Sequence, residues 1–330
     1  MTTYIIRRLL GAIPTLILIS MLVFVAIDIM PGSYVDFLVA QQIQETGQAE
    51  ISPGRIKSLE AQYGYGKPLP IRYWKWFSNF VIGDMGRSRA FGNKPVSDLI
   101  GERLLLTIVI SLCSLAFSMI LAVPIGVYSA VKQYSWGDHF FTFVSMIGLS
   151  VPNFLLALVF LVIGFFVFEQ IPGGLFSPEF SDAQWSLARF LDMLNHLWIP
   201  VVILGSAGMA GTMRVMRGNM LDQLSSQCVD TARAKGLSEF VVITKYAMRV
   251  ALNPLITSLG MSLPSIVSGS VIVSLVLNLP TTGPMLFDAV MRHDEFLAGS
   301  FVMFLSGLLV LGNILADIGL AWLDPRIRFE

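Results

Sequence analysis

This chain of 330 residues is poor in charge, histidine and cysteine. Lys, Arg, Asp and Glu make up 13% of it against 55% hydrophobic residues, and the mean hydropathy is +0.71. No water-soluble domain needs so apolar a composition to build one core, which excludes the ordinary globular class. The 22 basic and 22 acidic residues cancel, and no localised basic tail offers a nucleic-acid surface. Cys113 in an apolar run and Cys228 beside a basic stretch give neither a disulfide framework nor zinc-ligand spacing, so both read as plain thiols. His139, His196 and His293 fall in three separate segments and make no metal cluster, and no Ser–His arrangement suits nucleophilic catalysis. The Gly-x-x-x-x-Gly-Lys-Ser/Thr phosphate loop is also missing; the nearest fragment, Tyr63 to Pro68, ends in proline. An enzyme is not expected.

Long uncharged runs are what the chain has. The first, Leu9 to Ile27, covers about 28 Å as a helix, enough to cross the hydrocarbon core. No small-residue cleavage site follows it, so a retained span is expected rather than a signal peptide. Five more follow: Leu104 to Val131, Phe140 to Phe168, Met193 to Met213, Val250 to Phe287 and Phe296 to Ala316. The fifth is too long for one crossing and carries Pro254, Pro264, Pro280 and Pro284, which places its helix at roughly 255 to 279 with a loop after it. The expected fold class is therefore an all-α polytopic membrane protein of six transmembrane helices. Its parts are an N-terminal span (1–30), an external, partly folded segment (31–103) and a core of five spans (104–330).

Basic residues in short loops set the orientation. With the N-terminus inside, the inner segments hold Arg7, Arg8, Lys132, Arg214, Arg217, Arg233, Lys235, Lys245, Arg249, Arg326 and Arg328, and the outer short loops only Arg189 and Arg292. Both termini are thus expected on the inner face. On the outer side, KPLPIRYWKWFSNFV reads as an interfacial helix with Trp74 and Trp76 at headgroup level and Lys75 in water, or as an amphipathic helix packed on the protein itself. Asp28 and Asp317 sit at span ends, where helix-end roles are expected in place of ion coupling.

The largest inner loop, 214–249, holds six basic and three acidic residues. Met220, Leu221 and Leu224, and again Val241, Val242 and Tyr246, recur at helical spacing, as expected of two helices laid against the membrane domain. Between them lies Asp230-Thr231-Ala232-Arg233-Ala234-Lys235-Gly236. Alanines would let another surface approach the backbone, Gly236 permits the positive φ that ends a helix, and Arg233 and Lys235 could pair with carboxylates on that surface. Read by composition alone, the loop could equally do no more than fix topology.

The ordered sequence resembles the membrane-spanning subunits of binding-protein-dependent ABC importers of the dipeptide and oligopeptide (peptide/nickel) permease family. DTARAKGLS is similar to that family's cytoplasmic EAA loop, with Asp230 at the acidic position, Ala232 at the second small position, Gly236 at the glycine and Thr231 in place of the first alanine. The likeness runs along nearly the whole chain. MPGSYVDFL at 30–38 resembles a Pro-Gly-Asp segment with Ser33 for the aspartate, and GDMGRSRAFGNKPVSDLIGERLLLTI at 83–108 an external Gly-Asp-x-Gly-x-Ser then Pro-Val. SVPNF from 150 resembles a Ser-x-Pro-x-Phe helix start, and LDPRIRF at 323–329 an Asp-Pro-Arg end. SLVLNLPTTGP at 274–284 departs from the family's acid and Trp-Pro-Gly-Leu-Gly, a form that looks like a branch carrying oligosaccharides or other non-peptide solutes.

The resemblance implies a type I importer permease in a bacterial inner membrane. In such a subunit Asp230 to Gly236 would form a coupling helix docked in a groove of an ATPase subunit. Implied partners are a second homologous permease subunit, two ABC ATPase subunits or domains, an external solute-binding protein and the lipid bilayer. ATP and Mg would be bound by the ATPases and no cofactor by this chain. The fifth helix is the candidate for the solute path, with Ser258, Ser262, Ser265 and Gly269 near one face; helix packing by small residues is the competing reading there, and also for GSAGMAG at 205–211. The solute is expected to be a di- or oligopeptide, with oligosaccharide as the alternative. A self-sufficient secondary transporter would more often show a mid-membrane ionisable residue or paired broken helices, and this chain shows neither clearly.

Overall fold

The structure, a computed structural model, describes residues 2–29, 34–46, 53–54, 56–58, 68–168, 173–181, 183–261 and 271–323. The helices in chain order are α1 (Thr2–Ile29), α2 (Tyr34–Thr46), α3 (Leu69–Val81), α4 (Val96–Val131), α5 (Trp136–Ser150), α6 (Asn153–Phe168), α7 (Leu187–Leu224) and α8 (Gln227–Ala234). Then come α9 (Glu239–Val241), a π-helical segment (Val242–Ala247), α10 (Met248–Ala251), α11 (Asn253–Met261), α12 (Val271–Val276), α13 (Thr282–Met291) and α14 (Glu295–Leu323). Among the described residues there is no strand, only an isolated bridge between Arg87 and Pro95. The chain forms two compact units, one of Met1–Leu105 with Thr282–Val310, the other of Leu106–Thr281 with Leu311–Glu330.

Four helical stretches are long and apolar enough to cross a membrane: one beginning at Leu10, then Val96–Val131, Leu187–Ser206 and Glu295–Ile314. Leu10, Leu18, Leu22 and Ile29 lie exposed along α1, an apolar surface suited to lipid and not to water. The expected straight span from Phe140 to Phe168 is instead two helices, α5 and α6, bent by 95°. Pro152 is the cause: it offers no N–H to continue the ladder, and it holds Val151 extended at φ −88°, ψ 119°. Counted together, the bent pair is a fifth candidate span. α11 and α12 are the described parts of the span expected at 255–279; Ser262, Pro264, Ser265 and Gly269 between them lie outside the described residues, as do the Pro-Gly segment at 31–32 and the Asp-Pro-Arg segment at 324–326.

In the first unit, Phe24 of α1 packs with Trp76 of α3 and Met303 of α14. Trp76 is therefore buried among the chain's own residues, whereas Trp74 is 68% exposed. Both readings of this helix hold, each for one face. The residues expected to form a loop after Pro280 include the helix α13: Pro284 is its third residue, where the first-turn N–H groups need no helical acceptor.

The hairpin at 83–96 shows what the Gly-Asp-x-Gly-x-Ser residues do. Gly83 and Gly86 take positive φ (89° and 79°), and Asp84 accepts the Gly86 N–H at 2.9 Å. Val96 N–H returns to Gly86 O at 3.0 Å, closing the hairpin. Ser88 Oγ and the Ala90 N–H both donate to Oδ2 of Asp294, at 2.5 and 2.9 Å. Asp294 is wholly buried, and its Oδ1 accepts the Leu297 N–H at 3.2 Å, capping α14.

In the second unit α4 and α7 approach closely through small residues. A Cβ on Gly205 would come within 2.7 Å of the Phe117 ring, and one on Gly126 within 2.8 Å of Met216 Cβ. Ser118 Oγ donates to Gly205 O at 2.6 Å. For Gly205 and Gly208 the GSAGMAG stretch is a packing surface, as small residues in membrane helices commonly are.

Candidate functional site

The segment 214–249 differs from two helices laid separately on the membrane domain. α7 runs unbroken for 38 residues through Leu224, so the fourth span and the first loop helix are one rod. A rod of hydrogen-bonded turns transmits displacement along its axis, which a flexible loop cannot do. Met216 and Met220 near its end are fully buried with Val229 and Ala232 of α8, Val242 and Ala247 of the π-helical segment, and Leu255 of α11. Asn219 Nδ2 donates to Ala251 O at 3.0 Å, fastening the rod to α10.

α8 rests on this cluster through Val229 and Ala232, three residues apart and so on one face. Burying Val229 contributes roughly 1.5–3 kcal/mol, enough to hold a short helix that would be marginal alone. Ala232 was expected to face a partner, but it lies against the chain's own cluster. The outward residues are Asp230, Thr231, Arg233, Ala234 and Lys235. Thr231 Oγ1 donates within the helix to Gln227 O at 2.7 Å.

Gly236 takes φ +73°. Its N–H meets Arg233 O at 2.9 Å and the Leu237 N–H meets Ala232 O at 3.4 Å, the paired bonds of a Schellman end. A Cβ there would touch nothing within 4 Å, so the glycine is required by backbone conformation and not by space.

Arg233 also departs from expectation. Its guanidinium already grips Glu239, with Nη2 to Oε1 at 2.7 Å and Nε to Oε2 at 3.3 Å, and approaches Asp230 at 4.0 Å. That grip holds the Glu239 carboxyl below its ordinary pKa and ties the end of α8 to the start of α9. The side chain of Asp230 is 71% exposed. Asp230 and Lys235 are thus the charges left to meet another surface.

Sequence reasoning missed a second feature of this unit. Asp138, at the start of α5 and 3% exposed at its side chain, accepts from Arg217 of α7 through both oxygens (Nε–Oδ1 2.9 Å, Nη2–Oδ2 2.8 Å). The Tyr134 N–H and the Thr142 hydroxyl also donate to it. Positive-inside counting treated Arg217 as a topology charge; the signal for the pair was an acidic residue three positions after the N-cap Ser135.

Of the path residues, Ser258 is exposed on α11 and its hydroxyl donates to Leu255 O at 2.7 Å; Ser262, Ser265 and Gly269 are outside the described residues.

Residues 122–329 match the family described as "Binding-protein-dependent transport system inner membrane component", and residues 1–111 the one described as "Binding-prot-dependent transport system membrane comp, N-term". The chain is 35% identical over 329 residues to the oligopeptide transport system permease protein AppB of Bacillus subtilis, covering all of both chains. It is 31% identical over 329 residues to the oligopeptide permease protein OppB of Haemophilus influenzae, and 31% over 330 residues to the glutathione transport system permease protein GsiC of Pectobacterium atrosepticum, again at full coverage of both chains. With several candidate spans, helices and no strand among its described residues, and this end-to-end match, the chain belongs to the inner membrane components of binding-protein-dependent transport systems, as a multi-pass permease subunit.

Proposed function

We propose that this permease pairs with a second, homologous permease subunit to carry di- or oligopeptides, delivered by an external binding protein, across the bacterial inner membrane. The observation that carries the coupling part is α8: a short helix with a buried inner face, a Schellman end at Gly236, and an outer face bearing Asp230 and Lys235. Two ATPase subunits on the cytoplasmic face would dock there, holding ATP and Mg themselves. Closure of the ATPases would push α8, and the unbroken rod of α7 would carry the push into the membrane. The positive-inside distribution supports cytoplasmic termini. The names of the relatives favour peptides over oligosaccharides as the solute. Ser258, Ser262, Ser265 and Gly269 remain the candidate path.

The test is Asp230→Lys in the assembled transporter. Because this side chain is 71% exposed, membrane insertion and thermal stability should match the parent. Peptide uptake should fall at least about tenfold, and the ATPases should no longer co-purify, since like charge at a docked face costs several kcal/mol. Normal uptake, or solute accumulation by the chain reconstituted without ATPases, would end this reading.

A further inference from the structure

The first unit holds a cavity of about 410 Å³, within the range of small-ligand sites, that the transport reading does not use. Its apolar wall is Phe24 of α1, Ile71 and Trp76 of α3, and Phe296 of α14. Four cations line it against one carboxylate, Glu295. Two of them are already engaged: Arg72 binds Asp28 at 2.7 Å and Glu295 at 2.9 Å, and Arg89 lies 4.0 Å from Glu295. The other two, Lys75 and Arg87, are exposed, and among the described residues no ion pair reaches either. Among the described residues Arg87 donates to a neutral oxygen, Asn93 O, at 3.0 Å.

Depth decides what such a cavity would hold. Phe24 lies five residues before the end of α1, so the cavity sits within about two turns of a span's end, at the level of lipid headgroups. Ile71, Trp74 and Lys75 follow helical spacing and all are exposed, an apolar, aromatic and basic face of the kind that lies in a membrane interface. Ile71 and Lys75 belong both to that face and to the cavity lining, so the mouth opens where lipid is. A free anion would find no use for the apolar wall or for the interfacial position.

We infer that this cavity binds an anionic phospholipid, with its phosphate at Lys75 and Arg87 and the start of its acyl chains against Ile71 and Phe24. Lipid binding to the purified transporter, titrated with phosphatidylglycerol or phosphatidylcholine and followed by native mass spectrometry, tests it. The parent should hold phosphatidylglycerol at least about tenfold more tightly than phosphatidylcholine, and the double variant Lys75→Gln/Arg87→Gln should lose that preference. Both side chains are exposed, so the variant should fold. Ile71→Ser should weaken both lipids and leave inorganic phosphate without effect. Equal retention of the two lipids, or an unchanged preference in the double variant, would overturn the assignment. So would displacement by inorganic phosphate at the lipid's own affinity, which marks a free-anion site. Unchanged lipid retention with lost stimulation of ATP hydrolysis by the binding protein would mark a protein-docking surface and overturn it equally.

Discussion

The hairpin at 83–96 and the helix α8 look alike in sequence: each is a polar, glycine-punctuated stretch between apolar spans, and each resembles a family motif. The structure treats them oppositely. In the hairpin Ser88 and the Ala90 N–H turn inward onto the buried carboxylate of Asp294, while Asp84, Arg87 and Lys94 stay exposed. In α8 the apolar residues turn inward and Asp230 is left 71% exposed. Polar atoms satisfied within the chain, like those around Asp294, specify that chain's own shape; outward charges such as Asp230 do not.

The largest expected effect strikes the hairpin. Asp294→Ala removes the acceptor of two N–H groups and a hydroxyl in a site closed to water, a loss of about 3 kcal/mol or more. Thermal melting in detergent should show a clear drop in Tm, with transport lost in proportion to folded protein. A shift no larger than that of Asp230→Lys would erase the contrast between the two regions. Next comes Asp138→Asn, which leaves Arg217 without its bidentate partner. Arg217 keeps 26% exposure and can regain some hydration, so about 2 kcal/mol is expected, less than for a fully buried pair.

Legibility follows the same division. Four of the six expected spans and the positive φ of Gly236 were readable, because hydropathy and glycine act locally. Nothing local marked Asp294, since its partners Ser88 and Ala90 are 206 and 204 residues away. Asp138 and Arg217, 79 residues apart, escaped for the same reason. Ala232 was placed on the wrong face because a small residue fits either a partner or the chain's own core, and only the buried Met216 and Met220 decide between them. The bend at Pro152 was visible as a helix start in the motif, yet hydropathy ran straight through it.

Gly236→Leu sharpens the comparison at the helix end. Nothing stands within 4 Å of the added Cβ, so the penalty is the backbone's alone, about 1–2 kcal/mol at φ +73°. It should appear as faster hydrogen exchange in α8 with little change in the global melt. Gly236→Asn, which tolerates that conformation, should recover most of the protection.

The smallest effect concerns Arg233 and Glu239. The Arg233 guanidinium, by its hydrogen bond, lowers the Glu239 pKa, so the pair's contribution is fully present above the ordinary glutamate range. It is lost only as pH falls through the lowered folded value. Both groups are in water, which screens the pair and keeps its contribution small. Exchange protection at the α8–α9 junction should therefore stay flat between about pH 6 and 8 and decline only in acid. Glu239→Gln should reproduce the acid behaviour at neutral pH, and Arg233→Gln should match it. A titration midpoint near neutrality would show that Glu239 meets something other than Arg233, and would place the junction with the inward-satisfied regions of the protein.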